Sequence, residues 1–160
     1  MTVAELLDRA KAQGVMIATA ESCTGGMVAA ALTDIPGSSA VVERGFVTYT
    51  NTAKQQMLGV QAETLDAHGA VSEQVAREMA EGALRNSGAQ LTVSITGIAG
   101  PGGSEFKPEG RVCFGLAADG VPTRTKTVEF GALGREKVRM AARDHALEML
   151  SQGLFTLAQK

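Results

Sequence analysis

The sequence predicts an α/β protein, in which a three-layer α/β/α sandwich is built on a mixed, mostly parallel sheet with one antiparallel hairpin. Short apolar runs bounded by turn residues alternate along the chain with longer segments of helical spacing, which is typical of parallel strands joined by helices. Two strand-like runs also flank Asp119-Gly120, a pair that favours a hairpin turn. The hairpin makes the predicted sheet mixed.

Length and composition fit one domain that spans residues 1–160. The chain has 160 residues, of which 44% are hydrophobic, so it can bury one core without disulfides or a structural metal. Its net charge of -2, the lack of Trp and the single Tyr favour no nucleic-acid partner. Cys23 and Cys113 form no CxxC pair, which is typical of reduced thiols in a cytoplasmic protein. The longest apolar runs are too short to cross a membrane, so no membrane partner is expected.

Five short apolar runs bounded by turn residues predict the strands. Their predicted bounds are Val15–Ala20, Val41–Thr50, Leu91–Thr96, Val112–Ala118 and Thr123–Phe130. We expect an irregularity in the second strand near Arg44-Gly45.

Helical spacing and capping residues predict the helices. Thr2 and Glu5 form a capping box before the first helix, while Asn51 and Ser72 can cap later ones. The predicted helices are Val3–Ala12, Met27–Thr33, Thr52–Leu58, one or two turns over Ala62–Ala67, a helix from Ser72 that ends before Asn86, and Arg135–Gln152.

One short stretch offers a hydroxyl, a phenol and an amine, in Ser39, Tyr49 and Lys54. Where no histidine is at hand, a desolvated lysine can take the proton of a serine, directly or through a tyrosine. Each residue also has an ordinary structural interpretation: the serine in a turn, the tyrosine half-buried in a strand, and the lysine exposed on a helix. Spacing alone favours the ordinary interpretation.

Two glycine loops are candidate ligand sites. Thr24-Gly25-Gly26 leads into a helix whose backbone N–H groups suit a phosphate or an oxyanion, although such loops are also ordinary connections. Glu21 can orient a hydroxyl or a ribose, or bond local backbone. The loop Gly97 to Gly103 lacks the GKS or GKT ending of a nucleoside-triphosphatase loop. We therefore expect its backbone to form a wall that a ligand can approach closely. Thr96 can bond a ligand there or cap the turn.

Cys23 is a rival nucleophile, because a helix N-terminus would lower the pKa of its thiol. No histidine stands near it in the sequence, and a small packed cysteine is the commoner case. His68 and His145 are isolated from each other and from any partner at metal-ligand spacing. No metal site is therefore expected.

Over nearly its full length the chain resembles the CinA C-terminal domain family, whose enzymatic members are nicotinamide-nucleotide amidohydrolases. The motifs that carry the resemblance are TAESCTGG (19–26), DIPGSSA (34–40), RGFVTYTNTAK (44–54), HGAVSE (68–73) and SITGIAGPGG (94–103). Many members have a KPVG-like sequence where this chain has Lys107-Pro108-Glu109-Gly110. Longer two-domain members have an additional N-terminal domain that this chain is expected to lack.

The resemblance implies that the carboxamide of nicotinamide mononucleotide is hydrolysed to nicotinate mononucleotide and ammonia, without a cofactor or a metal. It places the catalytic serine on Ser39, the tyrosine on Tyr49 and the lysine on Lys54. The candidate substrate-binding residues are Glu21, Thr24, Gly25, Gly26, Thr96, Gly97 and Arg135, with Arg139 as the alternative to Arg135.

The resemblance also implies a cytoplasmic homo-oligomer that serves pyridine-nucleotide salvage, with a dimer as the working hypothesis. The alternative is a nucleotide-binding or regulatory module of the same family that keeps the pocket without useful turnover.

Overall fold

One five-stranded sheet lies between two layers of helices in the computed structural model, which describes residues 1–104 and 106–159. The strands are β1 (Ile17–Glu21), β2 (Val42–Val47), β3 (Leu91–Gly97), β4 (Arg111–Ala118) and β5 (Val121–Glu129). The helices are α1 (Val3–Gln13), α2 (Met27–Thr33), α3 (Asn51–Leu58), α4 (Ala62–His68), α5 (Glu73–Arg85) and α6 (Arg135–Ala158).

The strand order across the sheet is β2-β1-β3-β4-β5. β1 pairs in parallel with both β2 and β3, whereas β4 is antiparallel to its two neighbours. Four of these five strands therefore run in one direction, and the β4–β5 hairpin turns at Asp119-Gly120 as predicted. The prediction of a mixed, mostly parallel sheet is confirmed.

Helices cover both faces of the sheet, which confirms the predicted three layers. α1, α2 and α6 pack together on one face, and α3, α4 and α5 pack on the other. The apolar side chains of β3 that join the core beside α6 are Leu91, Val93 and Ile95. The hydroxyl groups on its opposite face donate to backbone carbonyls, in the pairs Thr92–Ala80, Ser94–Ala76 and Thr96–Ala70. Buried on both faces, β3 is a rigid support for the loop that follows it.

The irregularity predicted near Arg44-Gly45 is confirmed and lies at the adjacent Glu43, because Ile17 pairs with Val42 and Ala18 pairs with Arg44. The predicted cap of α3 is wrong by one residue. The cap of α3 is Thr50, whose side chain accepts a hydrogen bond from the Ala53 backbone. Asn51 is the first residue of that helix, because the threonine one position earlier satisfies the free N–H.

The last helix, α6, runs six residues further than predicted, to Ala158. Gly153 lies inside it against the sheet, where a Cβ atom would lie only 2.7 Å from the Leu91 side chain. Glycine at this position lets the helix pack closely on the sheet. Within residues 1–104 and 106–159, no helix combines the length and the apolar character that a membrane crossing requires.

Candidate active site

A cavity of about 300 Å³ opens where β1, β2 and β3 end. In open α/β sheets, ligands bind at the carboxyl ends of parallel strands. The loops after these three strands supply most of the lining, and the start of α6 closes one side. The lining residues are Ser22, Cys23, Tyr49, Asn51, Lys54, Ala70, Val71, Thr96 to Ser104, and Arg135.

Ser22 and Lys54 meet in the wall of this cavity. The Lys54 Nζ atom donates to Ser22 Oγ at 3.0 Å and to the Thr48 carbonyl at 3.0 Å. Lys54 is only 2% exposed, although a lysine on a short helix is ordinarily solvated. A buried amine in direct contact with a serine hydroxyl is the arrangement that activates a serine without a histidine.

Ser22 is held in place by the loop that follows β1. Glu21, at 0% exposure, accepts hydrogen bonds from the Thr24 hydroxyl (2.6 Å) and from the Val28 (3.0 Å) and Ala29 (3.1 Å) backbone N–H groups. The anion at the start of α2 is therefore the carboxylate of Glu21 itself. Because this carboxylate is fixed, the neighbouring serine is presented to the cavity by a rigid loop.

Four predicted ligand residues thus lie behind the cavity wall. Glu21 and Thr24 are buried and bond to each other and to α2, and the adjacent Gly25 and Gly26 adopt positive φ values of 57° and 106°. These four positions are not among the described residues that line the cavity. The structure places them as supports of the Ser22 loop.

Arg135 and Arg139 lie one turn apart on α6 and have different hydrogen-bond partners. Arg135 lines the cavity and donates to the Gly100 carbonyl at 2.8 Å and to the Tyr49 hydroxyl at 2.6 Å. Arg139 donates to the Cys23 carbonyl at 3.0 Å and to the Thr24 carbonyl at 3.4 Å. Arg135 can therefore reach a ligand at the mouth, and Arg139 fastens the Ser22 loop to α6.

The opposite wall is the glycine loop that follows β3, residues 97–104. Gly97 and the preceding Thr96 line the cavity, and the Thr96 hydroxyl donates to the Ala70 carbonyl at 2.9 Å. Lys107, just beyond the loop, donates to the carbonyls of His68 (2.6 Å) and Val71 (2.5 Å). These bonds tie the loop to the segment between α4 and α5.

Ser39 lies just before the start of β2, at the opposite end of that strand from the cavity. It belongs to a short 3₁₀ turn, Ser38–Ala40, that precedes β2, whereas Tyr49 and Lys54 follow the end of that strand. Six extended residues separate the two ends, a length of about 20 Å at ~3.3 Å per residue. Within one chain, Ser39 does not come together with Tyr49 and Lys54.

Cys23 also lines the cavity, but its chemistry differs from that of Ser22. Burial raises the pKa of the Cys23 thiol to about 11, and the nearby Glu21 carboxylate acts in the same direction. The thiolate, which is the nucleophilic form, is therefore scarce at neutral pH. In the described part of the chain, no group of three His, Cys, Asp or Glu side chains is placed to hold a metal ion.

The structure thus unites five of the predicted site residues, Tyr49, Lys54, Thr96, Gly97 and Arg135, in one cavity. Ser22 also lines the cavity, and we did not select it from the sequence, although it lies inside the TAESCTGG motif. Its position directly after a buried strand was the available signal, because sites in parallel sheets form after strands and not before them. Ser39 precedes its strand and fails that criterion.

Comparison with known proteins gives concordant matches in sequence and structure. A nicotinamide-nucleotide amidohydrolase PncC of Escherichia coli strain K12 is 55% identical over 146 residues, which cover 89% of this chain and 86% of that protein. A CinA-like protein of Chlorobium phaeobacteroides strain BS1 is 53% identical over 148 residues, 89% of this chain and 35% of that protein. The chain thus spans about a third of the length of the CinA-like relative.

Among solved structures, the competence/damage inducible protein CihA of Agrobacterium tumefaciens has a TM-score of 0.87 and 51% identity, over 95% of this chain and 94% of that one. The family model described as the CinA C-terminal domain matches residues 2–154. The chain therefore belongs to the CinA C-terminal domain family.

Proposed function

We propose that this protein hydrolyses the carboxamide of nicotinamide mononucleotide, releasing ammonia and nicotinate mononucleotide, with Ser22 as the nucleophile. The observation that carries the proposal is the 3.0 Å contact between Ser22 Oγ and the buried Lys54 Nζ in the cavity wall. The amidohydrolase named above supports the choice of substrate, because the match covers most of both chains. Ser22 replaces Ser39 in this proposal.

In the first half of the reaction, Ser22 Oγ attacks the carboxamide carbon while Lys54 Nζ takes the hydroxyl proton. This step needs the amine of Lys54 in its neutral form. The carbon–nitrogen bond then breaks, Lys54 returns the proton to the leaving nitrogen, and ammonia departs. An acyl ester on Ser22 remains.

In the second half, water attacks the ester carbon and Lys54 takes a proton from that water. The carbon–oxygen bond to Ser22 breaks, the proton returns from Lys54 to Ser22 Oγ, and the carboxylic acid product leaves and loses its remaining proton to solvent. The direct contact between Ser22 and Lys54 supports proton transfer without a relay through Tyr49.

The rest of the cavity suits the nucleotide part of the substrate. Arg135 has the planar fork of donors that binds a phosphate, and it stands at the mouth with the 57% exposed Tyr49. A phosphate bound there would replace the Tyr49 hydroxyl and the Gly100 carbonyl as the hydrogen-bond acceptors of the guanidinium. A volume of about 300 Å³ is at the lower end for small-molecule sites and suits a mononucleotide.

The test is to incubate the purified, chelator-treated protein with nicotinamide mononucleotide and to measure ammonia and nicotinate mononucleotide. Free nicotinamide serves as the comparison substrate, because it has the same carboxamide without the ribose phosphate. Equimolar release of both products from the nucleotide is the expected result. If the wild-type protein binds the nucleotide but releases no ammonia, a non-catalytic nucleotide-binding or regulatory module replaces the amidase.

A cytoplasmic homo-oligomer, taken as a dimer, remains a prediction, as does the assignment of residues 1–160 to a single domain. Light scattering on the purified protein measures the oligomeric state. A mass twice that of the 16.5 kDa chain supports the dimer, and the mass of a single chain contradicts it.

A further inference from the structure

Glu109 lies beside the glycine loop but outside the cavity lining. It comes just before Gly110, in the segment that returns from the loop to β4. Its side chain is half-buried. The reaction proposed above gives this carboxylate no role.

The Glu109 carboxylate holds the middle of the loop. Its Oε1 atom accepts a hydrogen bond from the Gly102 backbone N–H at 2.9 Å. It also packs against Gly100, where a Cβ atom would lie only 1.9 Å from Oε1. Gly100 has a φ of +93°, a backbone conformation that favours glycine.

Arg135 holds the same segment through a different group. Its Nη1 atom donates to the Gly100 carbonyl at 2.8 Å, whereas Glu109 accepts from the amide of Gly102 two residues later. Gly100 and Gly102 both line the cavity. One guanidinium and one carboxylate therefore fix this part of the wall. If substrate phosphate draws Arg135 away from Gly100, the bond to Glu109 remains.

We propose that Glu109 is a positioning residue that keeps the Gly100–Gly102 wall in its binding shape while Arg135 engages the anionic group of the substrate. This inference rests on the proposed function for its substrate. A preorganised wall improves binding because the loop need not be ordered when the ligand arrives. Glu109 should thus affect KM much more than kcat.

Two substitutions separate the hydrogen bond from the charge. Glu109→Gln keeps an oxygen acceptor at nearly the same position but removes the charge. Glu109→Met has a similar length and no comparable acceptor. Glu63→Met, at an exposed carboxylate on α4, is the matched control. For all three variants and the wild type, we would measure KM and kcat for nicotinamide mononucleotide and amide hydrogen exchange over residues 98–104.

We expect Glu109→Met to raise KM about fivefold to tenfold, with kcat within about twofold, and to accelerate exchange at the Gly102 amide. Glu109→Gln should stay within about twofold of the wild-type KM and keep most of the protection. The Glu63 control should change neither quantity.

Unchanged exchange at Gly102 in Glu109→Met overturns the inference, as does an equal rise of KM in both Glu109 variants. If the wild-type protein fails to hydrolyse the nucleotide, the proposed function falls. The exchange measurement and the Kd for the nucleotide, in place of KM, then still decide whether Glu109 positions the loop.

Discussion

Replacing Lys54 by methionine should remove catalysis while leaving the fold in place. Methionine has nearly the length of lysine but carries no amine, so the contact of Lys54 Nζ with Ser22 Oγ is lost. A positioned general base contributes about 10²- to 10⁴-fold to a rate. At ~1.36 kcal/mol per tenfold, this is about 3 to 5 kcal/mol of transition-state stabilisation.

The effect of Lys54→Met on stability should be much smaller. The hydrogen bonds to Ser22 and to the Thr48 carbonyl are lost, each contributing about 1 kcal/mol. An apolar side chain in place of a 2% exposed amine offsets part of this loss, because the amine no longer has to be desolvated. We expect the free energy of unfolding to change by less than about 2 kcal/mol.

The assay is kcat for nicotinate mononucleotide formation, with thermal unfolding of the same samples. Lys11→Met, at an exposed lysine on α1, is the control and should keep kcat within about twofold. A folded Lys54→Met variant that retains more than a tenth of the wild-type kcat would refute the reasoning, because another group would then be taking the serine proton.

Three further substitutions test other parts of the account. Arg135→Ala should raise KM about tenfold or more with a smaller change in kcat, because a phosphate partner is lost; an unchanged KM contradicts phosphate binding by Arg135. Glu21→Ala should lower the free energy of unfolding by about 3 kcal/mol or more, since buried N–H groups of α2 lose their acceptor; a denaturant midpoint equal to that of the wild type contradicts this. Burial lowers the pKa of His145, so its neutral form is favoured in the folded state and stability should decrease as the pH falls below ~6.5. His145→Leu should reduce that pH dependence, and an unchanged dependence in unfolding experiments contradicts the assignment.

The sequence predicted the fold well because its signals are local. Thr2 caps α1 as expected, Gly14 ends it in the left-handed conformation, and Met27–Thr33 forms α2 with the predicted bounds. Strand and helix bounds follow from apolar spacing and capping groups within a few residues. The helix α6 continues past its predicted end at Gln152, and Gly153 in this extension packs against a strand that is distant in sequence.

The candidate site could be predicted only in part, because its key contact joins distant residues. Ser22 and Lys54 are 32 positions apart and meet only because β1 and β2 lie side by side in parallel. The family resemblance placed the nucleophile on Ser39, but an extended strand between Ser39 and Tyr49 separates the two residues by its whole length. The contacts of Glu21 could not be predicted either. Periodicity does not tell whether its carboxylate faces the cavity or, as in the structure, the start of α2.

The most direct test of the central claim is a comparison of ammonia release from nicotinamide mononucleotide by the wild-type protein, Ser22→Ala and Ser39→Ala. Binding of the nucleotide to each variant is measured in parallel. We expect that Ser22→Ala loses turnover and still binds the nucleotide, while Ser39→Ala keeps a kcat close to that of the wild type. Turnover that survives in Ser22→Ala and disappears in Ser39→Ala would contradict the assignment of Ser22 as the nucleophile.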